Sequence, residues 1–348
     1  MKRALMISLL VLATLLTTTL TAPLGATATS GPTWQPTPTG TDARLRGLSA
    51  VSRQVAWASG ARGTVLRTVD GGSTWQQVGP PDTATLDFRD IEAFDAKTAV
   101  ALSIGEGEAS RIYRTTDGGR TWTETFRNPE PAAFYNCVAF FDARNGLVVG
   151  DPVAGEFRLL STSDGGRTWT RLPGPAALEG EYQFSASGQC VTVAGRKDAW
   201  LATGGSSVAR VLHSADRGRT WTASETPLAS SESAGVFAAA FRDRRTGIAI
   251  GGDFANPTNG ADALALTRDG GRTWREPVTA PAGYRSGVAY HGFLPHVLIA
   301  VGPTGSDVSF DGGTHWHQFH DGSLDTVDCT RDGGCWASGA AGAVARLG

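Results

Sequence analysis

The residues of this 348-residue chain best suited to chemistry are a scattered set of charged, amide and aromatic side chains: Arg46, Arg89, Asp90, Tyr135, Asn136, Asp151, Arg158, Glu181, Tyr182, Asp253, Tyr284 and Arg285. Their types allow two kinds of work. An arginine fork grips a carboxylate through paired N–H donors, so Arg46, Arg89 and Arg285 are candidates for holding an anionic group. Two carboxylates on either side of a bound sugar can serve as acid and base, and Asp151 with Asp253 are candidates for that pair. Other chemistries lack their residues. No Gly-rich phosphate loop, dinucleotide fingerprint or nucleophile elbow stands in the strand-turn-helix setting it needs. His315 and His317 alternate along one stretch with His320 nearby, but they belong to a repeated turn-and-strand unit and read as solvated. No metal and no cofactor is therefore assigned.

What must position these residues is a repeat. Residues 68–75 follow the pattern Ser/Thr-x-Asp-x-Gly-x-x-Trp, which returns at 115–122, 162–169, 214–221, 267–274 and 309–316. The aspartates Asp70, Asp117, Asp164, Asp216, Asp269 and Asp311 are spaced 47, 47, 52, 53 and 42 residues apart. That period suits a supersecondary unit of four strands. An Asp with Gly two residues on is a hairpin signal, because the carboxylate accepts N–H groups of its own turn and glycine takes positive φ without a Cβ clash. Apolar runs such as Val65-Leu66, Ile112-Tyr113 and Leu159-Leu160 lead into the turns, and Trp122-Thr123-Glu124-Thr125 typifies the returning strand. Six of the ten tryptophans close the motif, where a large ring covers the hairpin. The six aspartates are accordingly read as structural.

The pattern is identified as the Asp-box, or BNR, repeat. That resemblance spans essentially the whole chain after its first residues and implies a β-propeller, the fold shared by sialidases, xyloglucanases and the photosystem II stability/assembly factor family. It supports fold strongly and activity weakly, since the motif is a turn. Residues 31–35, Gly-Pro-Thr-Trp-Gln, imitate the last strand of a repeat without a turn before them, while residues 324–348 supply strands of a repeat and then stop. Joining the two ends closes the ring and hides strand edges. The expectation is an all-β chain forming a single seven-bladed β-propeller, with an N-terminal strand around Trp34 completing the last blade. Blades of about 46 residues match the propeller range. Trp57, Trp200 and Trp336 fall in second strands and are read as packing between blades. The inner strand of the fourth blade is expected at residues 188–193.

Lys2 and Arg3 precede an apolar run over residues 4–16 and then Ala26-Thr27-Ala28, which predicts a signal peptide at 1–28 cleaved after Ala28, with the propeller at 29–348. The run is short for a membrane span, so no transmembrane anchor is expected in the mature chain. Export to the periplasm or the medium follows. The net charge is −2 for the whole chain and −4 without Lys2 and Arg3, which asks for no nucleic acid. Cys329 and Cys335 flank a turn that brings two strand ends together, and Cys137 and Cys190 fall at corresponding places on neighbouring blades. Both pairs are disulfide candidates, the second depending on blade separation near the axis.

Propeller topology puts the connections between blades on one face with those between second and third strands, opposite the Asp-box turns. Long loops on a rigid scaffold carry binding groups, so that face is the candidate site. Resemblance to sialidases would cast Arg46, Arg89 and Arg285 as a carboxylate clamp and Tyr284 with Glu181 as nucleophile and helper. However, Phe88-Arg89-Asp90-Ile91 lacks the proline of the sialidase signature, and seven blades exceed the sialidase six. Xyloglucanases resemble two propellers across a cleft, and this chain has one. The stretch Phe88-Arg89-Asp90-Ile91-Glu92-Ala93-Phe94 with its turn at Asp117, and Phe237 to Asp243 with the turn at Asp269, resemble blades of the photosystem II stability/assembly factor family. This resemblance implies an exported scaffold that binds a protein or carbohydrate at its loop-rich face, with a glycoside hydrolase as the alternative.

Overall fold

Short runs of small and β-branched residues, Leu45–Ala50, Asp87–Ala93, Tyr135–Phe140, Val191–Ala194, Ala234–Phe241, Gly287–Tyr290 and Thr326–Cys329, form the innermost strands of seven sheets. The structure is a computed structural model that describes residues 31–348. The leader expected at 1–28 lies outside the described residues. Consecutive strands of each sheet pair antiparallel from the axis outward, and neighbouring inner strands pack in chain order until blade 7 meets blade 1. The molecule is a seven-bladed β-propeller, almost wholly strand and turn. The ring closes with Trp34–Pro36 as the outermost strand of blade 7, Trp34 opposite Leu347 and Pro36 opposite Ala345. Proline is tolerated there because only an edge strand can lack an N–H donor. Trp34 is buried, and its indole N–H donates to Ser306 Oγ of blade 6 at 2.9 Å.

The six repeat turns share one hydrogen-bond pattern. Asp70 accepts the Thr68 hydroxyl at 2.9 Å, the Thr74 N–H at 2.9 Å and the Thr74 hydroxyl at 2.6 Å, while Thr68 Oγ1 accepts the Gly72 N–H at 2.9 Å. The same set recurs around Asp117, Asp164, Asp216 and Asp269. At Asp311 the imidazole of His315 replaces the hydroxyl, at 2.6 Å. Position four takes positive φ in every turn; five use glycine there, and the fourth turn holds Arg217 at φ 63°. Donors from Thr121 keep the Asp117 carboxyl down at about 2.

Tryptophans seal the blades to one another. Trp57, Trp200 and Trp336 are fully buried, and each indole N–H reaches a neighbouring blade: Asp95 O at 3.1 Å, Gly270 O at 2.8 Å and Ser52 O at 3.0 Å. Truncating such a side chain to alanine removes about 3–5 kcal/mol. Two details depart from the expected regularity. Blade 5 has three strands and a single bridge from Leu266 to Arg275 in place of a fourth. Pro277 lacks a donor, and the Val278 N–H turns to Thr314 O of blade 6 at 2.9 Å. The inner strand of blade 4 begins at Val191, three residues later than expected, because the chain before it is drawn across the axis.

Candidate functional site

Each inner strand starts at the loop-rich face, and four of them start with an extra residue. The pairing register slips between Leu45 and Gly47, Phe88 and Asp90, Tyr135 and Cys137, and Val236 and Ala238. The residues inside these bulges are Arg46, Arg89, Asn136 and Phe237. A bulge re-aims its side chain, and here it turns these residues toward the mouth of the axial channel. By register Gln189, Ser286 and Asp325 hold the same place in blades 4, 6 and 7. The bulge also presses a carbonyl against the end of the second strand. A Cβ at Gly60 would lie 1.9 Å from Arg44 O, and one at Gly251 would lie 2.0 Å from Gly235 O.

The mouth is closed by residues 183–190. Ser187 O accepts the Thr326 hydroxyl of blade 7 at 3.0 Å, and Ser185 O accepts an N–H of Arg89 from blade 2 at 3.1 Å. Gln189 crosses the axis: its amide accepts the Val288 N–H at 2.9 Å and donates to Val288 O at 3.1 Å and Val327 O at 3.0 Å. Cys190 is joined to Cys137 of blade 3, with Cα atoms 6.0 Å apart, so the end of this plug is covalently held. The second bridge, Cys329 to Cys335, spans the first hairpin of blade 7. Beneath the plug a cavity of about 300 Å³ follows the axis, with Asp90, Glu92 and Asp328 in its wall. Exposure rises toward the far ends of the inner strands, so the cavity opens at the repeat-turn face. Burial raises all three carboxyls, Asp328 to about 6.

Above the plug, Arg46 and Arg89 stand side by side. Arg89 Nε donates to Asp87 at 3.0 Å. Arg46 has no such partner: its buried Nε makes no hydrogen bond among the described residues. Asp325 lies 3.9 Å away, but Arg44 already takes both of its carboxylate oxygens at 2.7 Å. Burial, then Arg89 and Arg44, push the Arg46 guanidinium down to about 10, so it remains a cation at neutral pH. Across the mouth lies an aromatic shelf. Phe184 stacks on Phe237 at 4.0 Å, Tyr284 meets Phe237 at 4.6 Å and Tyr182 meets Phe184 at 4.8 Å. Phe254 forms the edge of the shelf and is 51% exposed.

The other candidates are spent on the scaffold. Asp90 accepts the N–H groups of Ile91 and Val138 at 2.8 and 2.7 Å, tying blade 2 to blade 3. Tyr135 lies in the core against Phe126. Asn136 donates to Asp151 at 2.8 Å, and Asp151 also accepts the Gln183 N–H at 3.0 Å, anchoring the start of the plug. Arg158 forms a two-pronged pair with Glu130 at 2.9 and 2.6 Å. Glu181 is buried against Arg210 and Thr203. The Tyr182 hydroxyl donates to Glu232 O. Asp253 accepts Ser233 Oγ at 2.7 Å and the Ala255 N–H at 2.9 Å. Arg285 is fully buried with Asp307 at 2.6 Å, so the three arginines do not converge, and Tyr284 and Glu181 share no hydrogen bond among the described residues. Asp87, Ser185, Gln189 and Asp325 at the mouth were not singled out from sequence. A glycine of the second strand, Gly60, Gly150 or Gly251, stands opposite the bulges of blades 1, 3 and 5, whereas the bulge of blade 2 faces Ser103.

A family model described as the DUF6242 beta propeller domain matches residues 9–253. No curated protein matches the chain. Similar solved structures include YCF48 bound to D1 peptide, 16% identical with a TM-score of 0.63, covering 90% of this chain and 96% of that one. YCF48 from Cyanidioschyzon merolae is 19% identical at a TM-score of 0.63, with 90% and 98% covered. The GH74 xyloglucanase from Xanthomonas campestris is 16% identical at a TM-score of 0.62, covering 90% of this chain and 53% of that one. At such identities the likeness is one of fold.

Proposed function

We propose, from the premise that the chain belongs to the DUF6242 β-propeller family, that it is a binding scaffold for an extended protein segment. The segment lies across the loop-rich mouth. Arg46 and Arg89 take a carboxylate from it, and Phe254, the exposed edge of the aromatic shelf, takes an apolar side chain. The observation that carries this is the buried, unpartnered Nε of Arg46 beside a second arginine. A desolvated cation whose nearest carboxylate, Asp325 at 3.9 Å, is already held by Arg44 is costly, and a bound carboxylate would supply the missing hydrogen-bond partner. Because the plug closes the axis, the segment runs over the mouth and does not thread it. The peptide bound to YCF48 supports a protein segment over a glycan as the partner. The recurring turns fit Asp-box chemistry, and the leader at 1–28 together with two disulfides fits an exported location, periplasmic or secreted.

The test is fluorescence polarisation with a peptide library in which each acidic member has a neutral amide twin. Acidic members are expected to bind, their twins to bind weakly, and Arg46→Ala or Arg89→Ala to weaken binding about tenfold. Arg46→Lys should not restore it, since an ammonium cannot reproduce the fork. Peptides that bind both alanine variants as well as the parent, or binding confined to glycans, would overturn the proposal.

A further inference from the structure

The face opposite the mouth, built from the repeat turns and the turns between first and second strands, has a charge pattern of its own. In every blade with a repeat turn the two turns are tied together, as by Gly270 N–H to Arg245 O at 2.9 Å and Gly312 N–H to His296 O at 2.8 Å. In blades 4 and 5 these turns carry ten arginines and lysines against four aspartates, on a chain whose net charge is −2. Three of the ten pair with carboxylates, Arg244 with Asp198 at 2.8 Å, Arg242 with Asp243 at 3.5 Å and Arg217 with Asp142 at 4.0 Å. Asp216 and Asp269 are held by their own turns, and Asp198 by Arg244 at 2.8 Å and His213 at 3.0 Å. Arg196, Lys197, Arg245, Arg268, Arg272 and Arg275 are all exposed and make no salt bridge among the described residues. Arg245, Arg268 and Arg275 line a groove of about 530 Å³ between blades 5 and 6.

Beside this bank of cations stand exposed apolar side chains. Phe310 sits inside the sixth repeat turn at 59% exposure, and Phe293 and Leu294 project from the adjoining turn at 73% and 47%. That turn is clamped to the cationic bank by Arg242, which donates to Pro295 O at 3.1 Å. Large apolar residues on a soluble surface mark an interaction site when they cluster.

We propose that the repeat-turn face of blades 4 to 6 docks on an anionic lipid bilayer. Phosphate headgroups meet Arg245, Arg268, Arg272 and Arg275, while Phe293, Leu294 and Phe310 enter the interfacial layer. The complementarity of charge names an anionic partner, and the apolar trio chooses lipid among anions. Nucleic acid gives Leu294 nothing to stack on, whereas the surface of a bilayer offers both anionic headgroups and apolar chains to a face that carries cations and apolar side chains next to each other. The turns are already fixed by their internal hydrogen bonds, so little conformational freedom is lost on docking. The mouth carrying Arg46 and Arg89 then points away from the membrane.

The experiment is flotation of the full chain with vesicles of phosphatidylcholine containing roughly one-third phosphatidylglycerol, and with phosphatidylcholine alone. The chain should float with the anionic vesicles only, and salt should release it. Reversing three charges (Arg245→Glu, Arg268→Glu, Arg275→Glu) should lower partitioning on the order of a hundredfold. Replacing the apolar trio (Phe293→Ser, Leu294→Ser, Phe310→Ser) should lower it about tenfold. Both sets are exposed, and a thermal melt checks that each variant folds. In Phe293→Trp, the indole emission should shift to the blue with anionic vesicles but not with polyglutamate or a DNA duplex. Absence of flotation at low salt, an apolar-trio variant that floats like the parent, or the same emission shift with polyglutamate or DNA would each overturn the proposal.

Discussion

Arg46 and Arg285 show how little the type of a residue says about its task. Both stand near the start of an inner strand, yet Arg285 is sealed against Asp307, and the acid nearest Arg46 has been taken by Arg44. A single committed partner separates a structural cation from a free one. Carboxylates divide in the same way. Hydrogen-bond donors in the repeat turns lower their aspartates, as Asp117 to about 2, so this stability is present above the ordinary carboxylate range and is lost as pH falls toward 2. Burial does the reverse at Asp328, raised to about 6 against the donors Ala50 and Cys329. There the native state holds the proton more tightly than the unfolded chain, so stability falls as pH rises from about 4 to 6. Asp328→Asn removes that penalty while keeping an oxygen to accept the Ala50 N–H. It should raise unfolding stability at pH 8 by roughly 3 kcal/mol, the equivalent of the rise to about 6, and leave it close to the parent at pH 4. Urea titrations at the two pH values decide this, and equal effects at both would refute the assignment.

Residues 183–190 form the element on which the site depends. Between blades 7, 1, 2 and 3, inner strands are stitched by one side chain each: Asp328 to Ala50, Ser49 to Ala93, and Asp90 to Val138, at 2.8, 3.0 and 2.7 Å. On the other side of the ring Gln189 reaches blades 6 and 7 from the root of blade 4, and Ser286 of blade 6 donates to Asp325 O of blade 7 at 2.7 Å. Gln189→Ala deletes three hydrogen bonds and strands their backbone partners, an expected loss of about 2–3 kcal/mol. The midpoint of a denaturant curve measures it, and an unchanged midpoint would show that water replaces the amide. The Cys137–Cys190 bridge closes a loop with a sequence separation of 53, worth about 4 kcal/mol by chain entropy. That a long connection precedes blade 4 can be read along the chain. Where it goes cannot, because its partners belong to other blades and follow no local period.

Closure of the ring rests on three residues at one end of the described chain, Trp34–Pro36, pairing with Val344–Leu347 at the other. Removing residues 1–37 exposes the last strand and the pocket that Trp34 fills. An expected loss of about 3–5 kcal/mol follows from the tryptophan alone, and the bared edge should drive the shortened chain to associate. Differential scanning calorimetry and size-exclusion chromatography read both effects. A monomer with an unshifted melt would mean that closure lies elsewhere. The closed ring separates two surfaces, a plugged mouth with an arginine Nε that makes no hydrogen bond among the described residues and a turn face with exposed cations that make no salt bridge among them.

Local chemistry wrote the repeat into the chain. Ser/Thr, Asp and Gly recur because each satisfies a turn within eight residues of itself, and Trp because its ring covers that turn, so blade number, turn positions and the displaced strand around Trp34 were legible before any coordinates. The bulge that aims Arg46 left a fainter trace in Gly60 opposite it, whereas the one that aims Arg89 faces Ser103 and left none. The path of the plug, the pairing of Arg285 with Asp307, the burial of Tyr135 and the missing fourth strand of blade 5 were settled only by folding. Each depends on which side chains from distant blades arrive at the same place, and a single-chain pattern holds no record of that encounter.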